Sequence, residues 1–159
     1  MRFWPVAALL LAACSPGAGD GATAAAPPAA PATHPESGLP IVPLAVSHDG
    51  KAHDFRVEVA RTAEEQARGL MFRRAMGADE GMLFPFDPPR QASFWMKNTV
   101  IPLDIVFIGP DRRVLNISAN AEPYSLDPRP SAGVVSAVLE LNGGRAAQLG
   151  IAPGARVKW

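Results

Sequence analysis

Two carboxylates stand inside runs of apolar residues, and there the sequence has the material for acid–base chemistry. Asp104 lies in Leu103-Asp104-Ile105-Val106-Phe107-Ile108, and Glu140 lies in Val138-Leu139-Glu140-Leu141. Both runs read as strands, and each carboxyl group is set among side chains that cannot solvate it. A buried carboxylate needs a cation or hydrogen-bond donors. For Asp104 the candidates are Lys97, Arg73 and the backbone amides of the Lys97-Asn98-Thr99 turn. In a shared cleft, burial would raise the pKa of one carboxyl while the other stayed ionised, the arrangement that general acid–base catalysis uses. Held apart, each would instead tie loops together.

A second group of residues offers binding rather than catalysis. Phe84, Phe86, Phe94, Trp95 and Met96 supply rings and a thioether either for the core or for a platform under sugar rings and apolar ligands. Trp95, Lys97 and Asn98 fall together at the start of a turn. Tyr124, the sole tyrosine, stands in the loop Glu122-Pro123-Tyr124-Ser125. These four are the binding candidates.

Several chemistries are excluded. Ser47-His48-Asp49 contains the residue types of a hydrolytic triad, but three consecutive side chains cannot converge on one atom. There is no G-x-S-x-G elbow, no Walker loop and no dinucleotide fingerprint, so no cofactor is expected. His48 and His53 flank Asp49-Gly50 without an obvious third ligand, so no metal is expected either. Lys+Arg and Asp+Glu are both 15, which leaves no basic excess for nucleic acid.

The elements that must position these residues are mostly short strands. Leu44–Ser47 and Phe55–Val59 alternate around the turn pair Asp49-Gly50 and predict a hairpin. Thr62-Ala63-Glu64-Glu65 matches a capping box and predicts a helix over 63–68, with Gly69 able to end it in a left-handed conformation. Further strands are expected at Gly81–Phe86, Ala92–Met96, Leu103–Ile108, Val114–Ser118, Val134–Leu141 and Ala155–Lys158, with a helical turn at Arg145–Leu149. The fold class is mainly β: a single compact sandwich, jelly-roll-like or partly closed barrel domain with one or two short helices.

Three segments are expected. Residues 1–13 read as a signal peptide: Met1-Arg2 is a minimal positive region, and Phe3–Leu11 is an apolar run too short for a span of about 20 residues. Leu11-Ala12-Ala13-Cys14 resembles the lipobox at which bacterial lipoprotein precursors are acylated and cleaved, which assigns the single cysteine, Cys14, to lipidation and to a membrane anchor. Ser15 after it, rather than Asp, points to the periplasmic face of an outer membrane. The remainder of 14–38 is rich in Ala, Pro and Gly and reads as a disordered tether in which His34 is solvated. Residues 39–159 form the domain.

The ordered set GLMFR, GMLF, FWMKNT, PLDI and LELNGG resembles the family called domain of unknown function 192 over about Phe55 to Val157. The resemblance implies a small, mainly-β, often exported domain and no established reaction. The leading functional reading is therefore a lipid-anchored binding or accessory module of the cell envelope, acting on an unknown envelope ligand or protein. Two alternatives stand beside it: a small envelope-glycan hydrolase or lyase with Asp104 and Glu140 as acid and base, and a protein–protein assembly factor.

Overall fold

The computed structural model describes Met1 and residues 32–159. Cys14, the expected signal peptide beyond Met1 and most of the expected tether lie outside the described residues. The chain from residue 32 onward is mainly β, as its alternation predicts. β1 (Ile41–His48) and β2 (Lys51–Val59) form an antiparallel hairpin in which His48 pairs with Lys51. Asp49 and Gly50 both have positive φ, 47° and 75°, as the two-residue turn of a twisted hairpin requires. α1 (Ala63–Arg68) carries the full capping box. The Thr62 hydroxyl accepts from the Glu65 amide, and the Glu65 carboxylate accepts from the Thr62 amide at 2.8 Å. Gly69 ends it with φ 48° and ψ −136°, outside the left-handed helical region expected there, while its N–H still bonds the Glu65 carbonyl.

Seven further strands follow: β3 (Glu80–Arg90), β4 (Ser93–Phe94), β5 (Leu103–Ile108), β6 (Val114–Ala121), β7 (Arg129–Pro130), β8 (Val135–Asn142) and β9 (Arg156–Lys158). α2 (Arg145–Leu149) stops at Gly150, which is left-handed at φ 70°. Seven of the strands form one mixed sheet in the order β6-β5-β8-β3-β2-β1-β9, and β4 and β7 pair separately. All neighbours in the large sheet are antiparallel except β2 and β3, which run parallel because α1 and the loop after it carry the chain back. The sheet curls until its edges meet at one end, where Val114 N–H bonds Ala155 O at 2.8 Å and Val157 N–H bonds Arg112 O at 2.8 Å. The ladder goes no further, so the barrel is open along most of its length.

Both faces of this sheet are covered around its middle, and all six residues of β5 are buried. The concave face gathers Phe55, Leu83, Val106, Leu139 and Val157, with Ala146 of α2 against them. The other face gathers Met82, Phe84, Ile105, Phe107 and Val138 beneath Leu70 and Met96 from the loops and Phe94 from β4. Burying each such Phe, Leu or Ile contributes about 1.5–3 kcal/mol, which is why the long segments 69–79 and 95–102 stay packed on the sheet although neither contains a strand or helix.

Residues 32–38 depart from the tether expected of them. Ile41 N–H bonds Ala32 O at 2.7 Å and His34 N–H bonds Leu39 O at 2.9 Å, so this stretch doubles back beside β1. Side chains hold it down. Arg73 makes a bidentate pair with buried Glu58 (2.7 and 3.0 Å), and its Nε reaches Glu36 at 3.1 Å. Ser37 Oγ donates to the same Glu58 carboxylate, and His34 Nε2 stands 3.4 Å from Arg73 Nη1. His34 is therefore a packed residue, not a solvated one: composition showed nothing to bury here, but the stretch is held by polar groups instead.

Candidate functional site

Glu140 is on β8 opposite Met82 of β3 and Ile105 of β5, in the middle of the sheet. Its residue exposure is 5 %, and no hydrogen bond or ion pair reaches its carboxyl group from the described residues. Burial alone raises its pKa from 4.5 to about 8, so at neutral pH it is a neutral acid, able both to donate and to accept. It is not sealed in. Glu140 lines an open cavity of about 370 Å³ between α1, the end of β3 and β4, walled by Phe84, Phe86, Phe94 and Trp95. Gly69 also lines it; a Cβ there would stand 3.4 Å from the Phe84 ring, so a larger residue would press on that wall. Phe94 meets Phe84 edge-on at 5.1 Å between ring centres, which fixes the wall's shape.

Two cations flank the opening. Arg90 lies over the Phe86 ring, its guanidinium carbon 4.1 Å from the centroid, and Arg68 comes from the last turn of α1. Neither is in ion-pair range of a carboxylate among the described residues. Thr99 and Ser93 add hydroxyl groups to the lining.

Asp104 has a different task. It is fully buried, and its Oδ1 accepts from the amides of Asn120 (2.7 Å) and Gly144 (2.9 Å) while Oδ2 accepts from Ala146 (2.8 Å). Backbone amides do satisfy it, but they come from β6 and the start of α2, not from the Lys97-Asn98-Thr99 turn, and neither Lys97 nor Arg73 is its partner. Arg73 is engaged by Glu58. Asp104 is directed to the concave side, where Ala146 packs, and Glu140 opens on the other side with Phe84. The two carboxyls share no cleft, so the acid–base pair that their setting suggested is not formed.

A family model described as an uncharacterised ACR, DUF192, matches residues 44–159. The chain belongs to the DUF192 family. No curated protein matches it. Among solved structures, a protein of unknown function from Novosphingobium aromaticivorans DSM 12444 is 61 % identical at a TM-score of 0.80, over 83 % of this chain and 94 % of that one. A protein from Sinorhizobium meliloti 1021, described as a proposed transcription regulator, is 40 % identical at a TM-score of 0.74, over 76 % of this chain and 94 % of that one.

In this DUF192 domain the binding candidates Trp95, Lys97, Asn98 and Tyr124 gather around one turn. Lys97 Nζ lies 5.3 Å from the Trp95 ring centre, Phe72 N–H bonds Asn98 O at 2.8 Å, and Tyr124 N–H bonds Thr99 O at 3.1 Å. Phe72, Asn98 and Tyr124 all hold positive φ (66°, 56° and 63°), a costly conformation for non-glycine residues that tends to collect at functional sites. Trp95 is 51 % exposed, Phe72 61 % and Tyr124 62 %, so three rings surround the turn without being buried. Only Trp95 of the four candidates lines the cavity. Sequence reading missed Phe72, Arg68 and Arg90. Arg68 sat at the end of the foreseen helix, but nothing local marked Arg90, because its role depends on β3 running four residues past Phe86. Among the described residues no three His, Cys, Asp or Glu side chains cluster as a metal site would require.

Proposed function

We propose that this protein is a ligand-binding module of the cell envelope, held to the membrane by a lipid on Cys14 and binding a small molecule over Glu140. The observation that carries the binding reading is a buried carboxyl group, without a partner among the described residues, at an open, aromatic-walled cavity. Leaving a buried polar group unpaired costs about 1–3 kcal/mol, and a ligand that hydrogen-bonds Glu140 recovers it. The envelope location rests on the sequence around Cys14. A hydrolase needs a second group beside Glu140 to activate water, and the other carboxylate of the pair, Asp104, is committed to three amides on the opposite face.

The test is a thermal-shift screen of the full-length protein in mild detergent against sugars, lipids, nucleotides and short DNA. A second sample carries Ala67→Trp, which places a large ring at the exposed rim of the cavity on α1. A ligand at 100 times its Kd adds about 2.7 kcal/mol to the native state. The expected result is a saturable stabilisation that Ala67→Trp removes. Stabilisation by DNA alone, unaffected by Ala67→Trp, would favour the role suggested for the Sinorhizobium relative and overturn this one.

A further inference from the structure

The cavity has a definite chemical character, and it narrows the ligand. Among the described residues its cationic side chains are Arg68 and Arg90, and the only carboxyl group in its lining is Glu140. A cationic ligand would meet two unpaired guanidinium groups and no counter-charge. An anion meets the reverse: two planar donor forks at the mouth and, at the floor, an acid that burial keeps uncharged and unable to repel it. The walls are equally specific. Phe84, Phe94 and Trp95 present ring surfaces, whereas Ser93, Thr99 and Glu140 present hydroxyl and carboxyl groups between them. Such a lining suits a body with apolar faces and a polar edge, which describes a pyranose ring better than a fatty chain. At about 370 Å³ the cavity holds one substituted ring, not a chain of them.

We infer that the ligand is an acidic monosaccharide, with its carboxylate at Arg68 and Arg90, its ring against Trp95 and Phe94, and a hydroxyl on the Glu140 carboxyl group. The inference rests on the binding-module reading and adds the ligand's charge and shape to it.

Calorimetric titration of the full-length protein in detergent with D-glucuronate, its methyl ester and D-glucose tests it. Glucuronate is expected to bind saturably and at least about tenfold more tightly than the two neutral sugars. Arg90→Ala and Arg68→Ala, both at exposed positions, are expected to remove most of that preference. Equal affinity for the three sugars, or a preference for glucuronate unaffected by either arginine substitution, would overturn the assignment of charge. If none of the sugars binds while another compound does so in a manner blocked by Ala67→Trp, the acidic-sugar inference fails and the binding site stands. If Ala67→Trp changes no binding of any compound, both fail.

Discussion

Asp104 and Glu140 stand one register step apart on the neighbouring strands β5 and β8, yet their carboxyl groups lie on opposite faces of the sheet. Asp104 pairs with Leu141 and Ile105 with Glu140, and the two-residue period of a strand sends adjacent side chains in opposite directions. One carboxylate is spent on three amides, and the other is left for a ligand.

The first prediction concerns Asp104. Asp104→Asn removes the charge that three amides share and turns an N–H₂ group toward at least one of them. Hydrogen bonds to charged groups are worth about 1.5–3 kcal/mol each, so a loss of about 3 kcal/mol is expected in urea denaturation. The end of β6 at Asn120 and the start of α2 at Gly144 are the places to loosen, read by hydrogen exchange at their amides. A variant as stable as the parent would show that those amides need no charge.

Glu140 gives a pH dependence with a fixed sign. Its folded pKa of about 8 lies above its ordinary 4.5, so the native state binds more protons than the unfolded chain between those values. Stability therefore falls as pH rises from about 4.5 to about 8, by up to about 1.4 kcal/mol per pH unit from this group. Glu140→Gln cannot ionise, so its stability relative to the parent should increase across the same window. Denaturation curves at pH 5, 6.5 and 8 check it; parallel pH profiles for parent and variant would contradict it.

The Arg73–Glu58 pair should behave as a clamp on residues 32–38. Glu58→Gln leaves Arg73 buried with the exposed Glu36 as its remaining ion-pair partner among the described residues. A loss of about 3–5 kcal/mol is expected, together with faster proteolysis around Glu36. Unchanged protease resistance there would show that backbone bonds suffice to hold the segment.

Nearer the N-terminus, Cys14→Ser should abolish acyl labelling and move the protein out of the membrane fraction. Retained labelling would place the lipid on another residue.

Local signals were legible wherever a few neighbouring residues decide the conformation. Thr62 and Glu65 marked the start of α1, Asp49-Gly50 marked the β1–β2 turn, and short apolar runs marked β5 and β8 nearly to the residue. The burial of Asp104 and Glu140 was also legible, because each lies in a run with no solvated face. What it meant was not. The amides that satisfy Asp104 are 16, 40 and 42 residues away, and the rings around Glu140 come from β3 and β4. The parallel β2–β3 pairing was equally hidden, since only the packing of α1 and its following loop brings Arg56 beside Glu80. Residues 32–38 were misread because a segment without apolar side chains can still be held by a buried ion pair and a returning backbone.

The most direct test of the central claim is a two-dimensional NMR titration of the labelled protein with whichever compound stabilises it. Shifts are predicted to saturate together and to concentrate at Gly69, Leu70, Phe94, Thr99 and Glu140, with the Glu140 carboxyl carbon changing as its hydrogen bond forms. Shifts confined to the concave face around Val106 and Ala146, or spread over the exposed rings of Phe72 and Tyr124 with Glu140 silent, would contradict it.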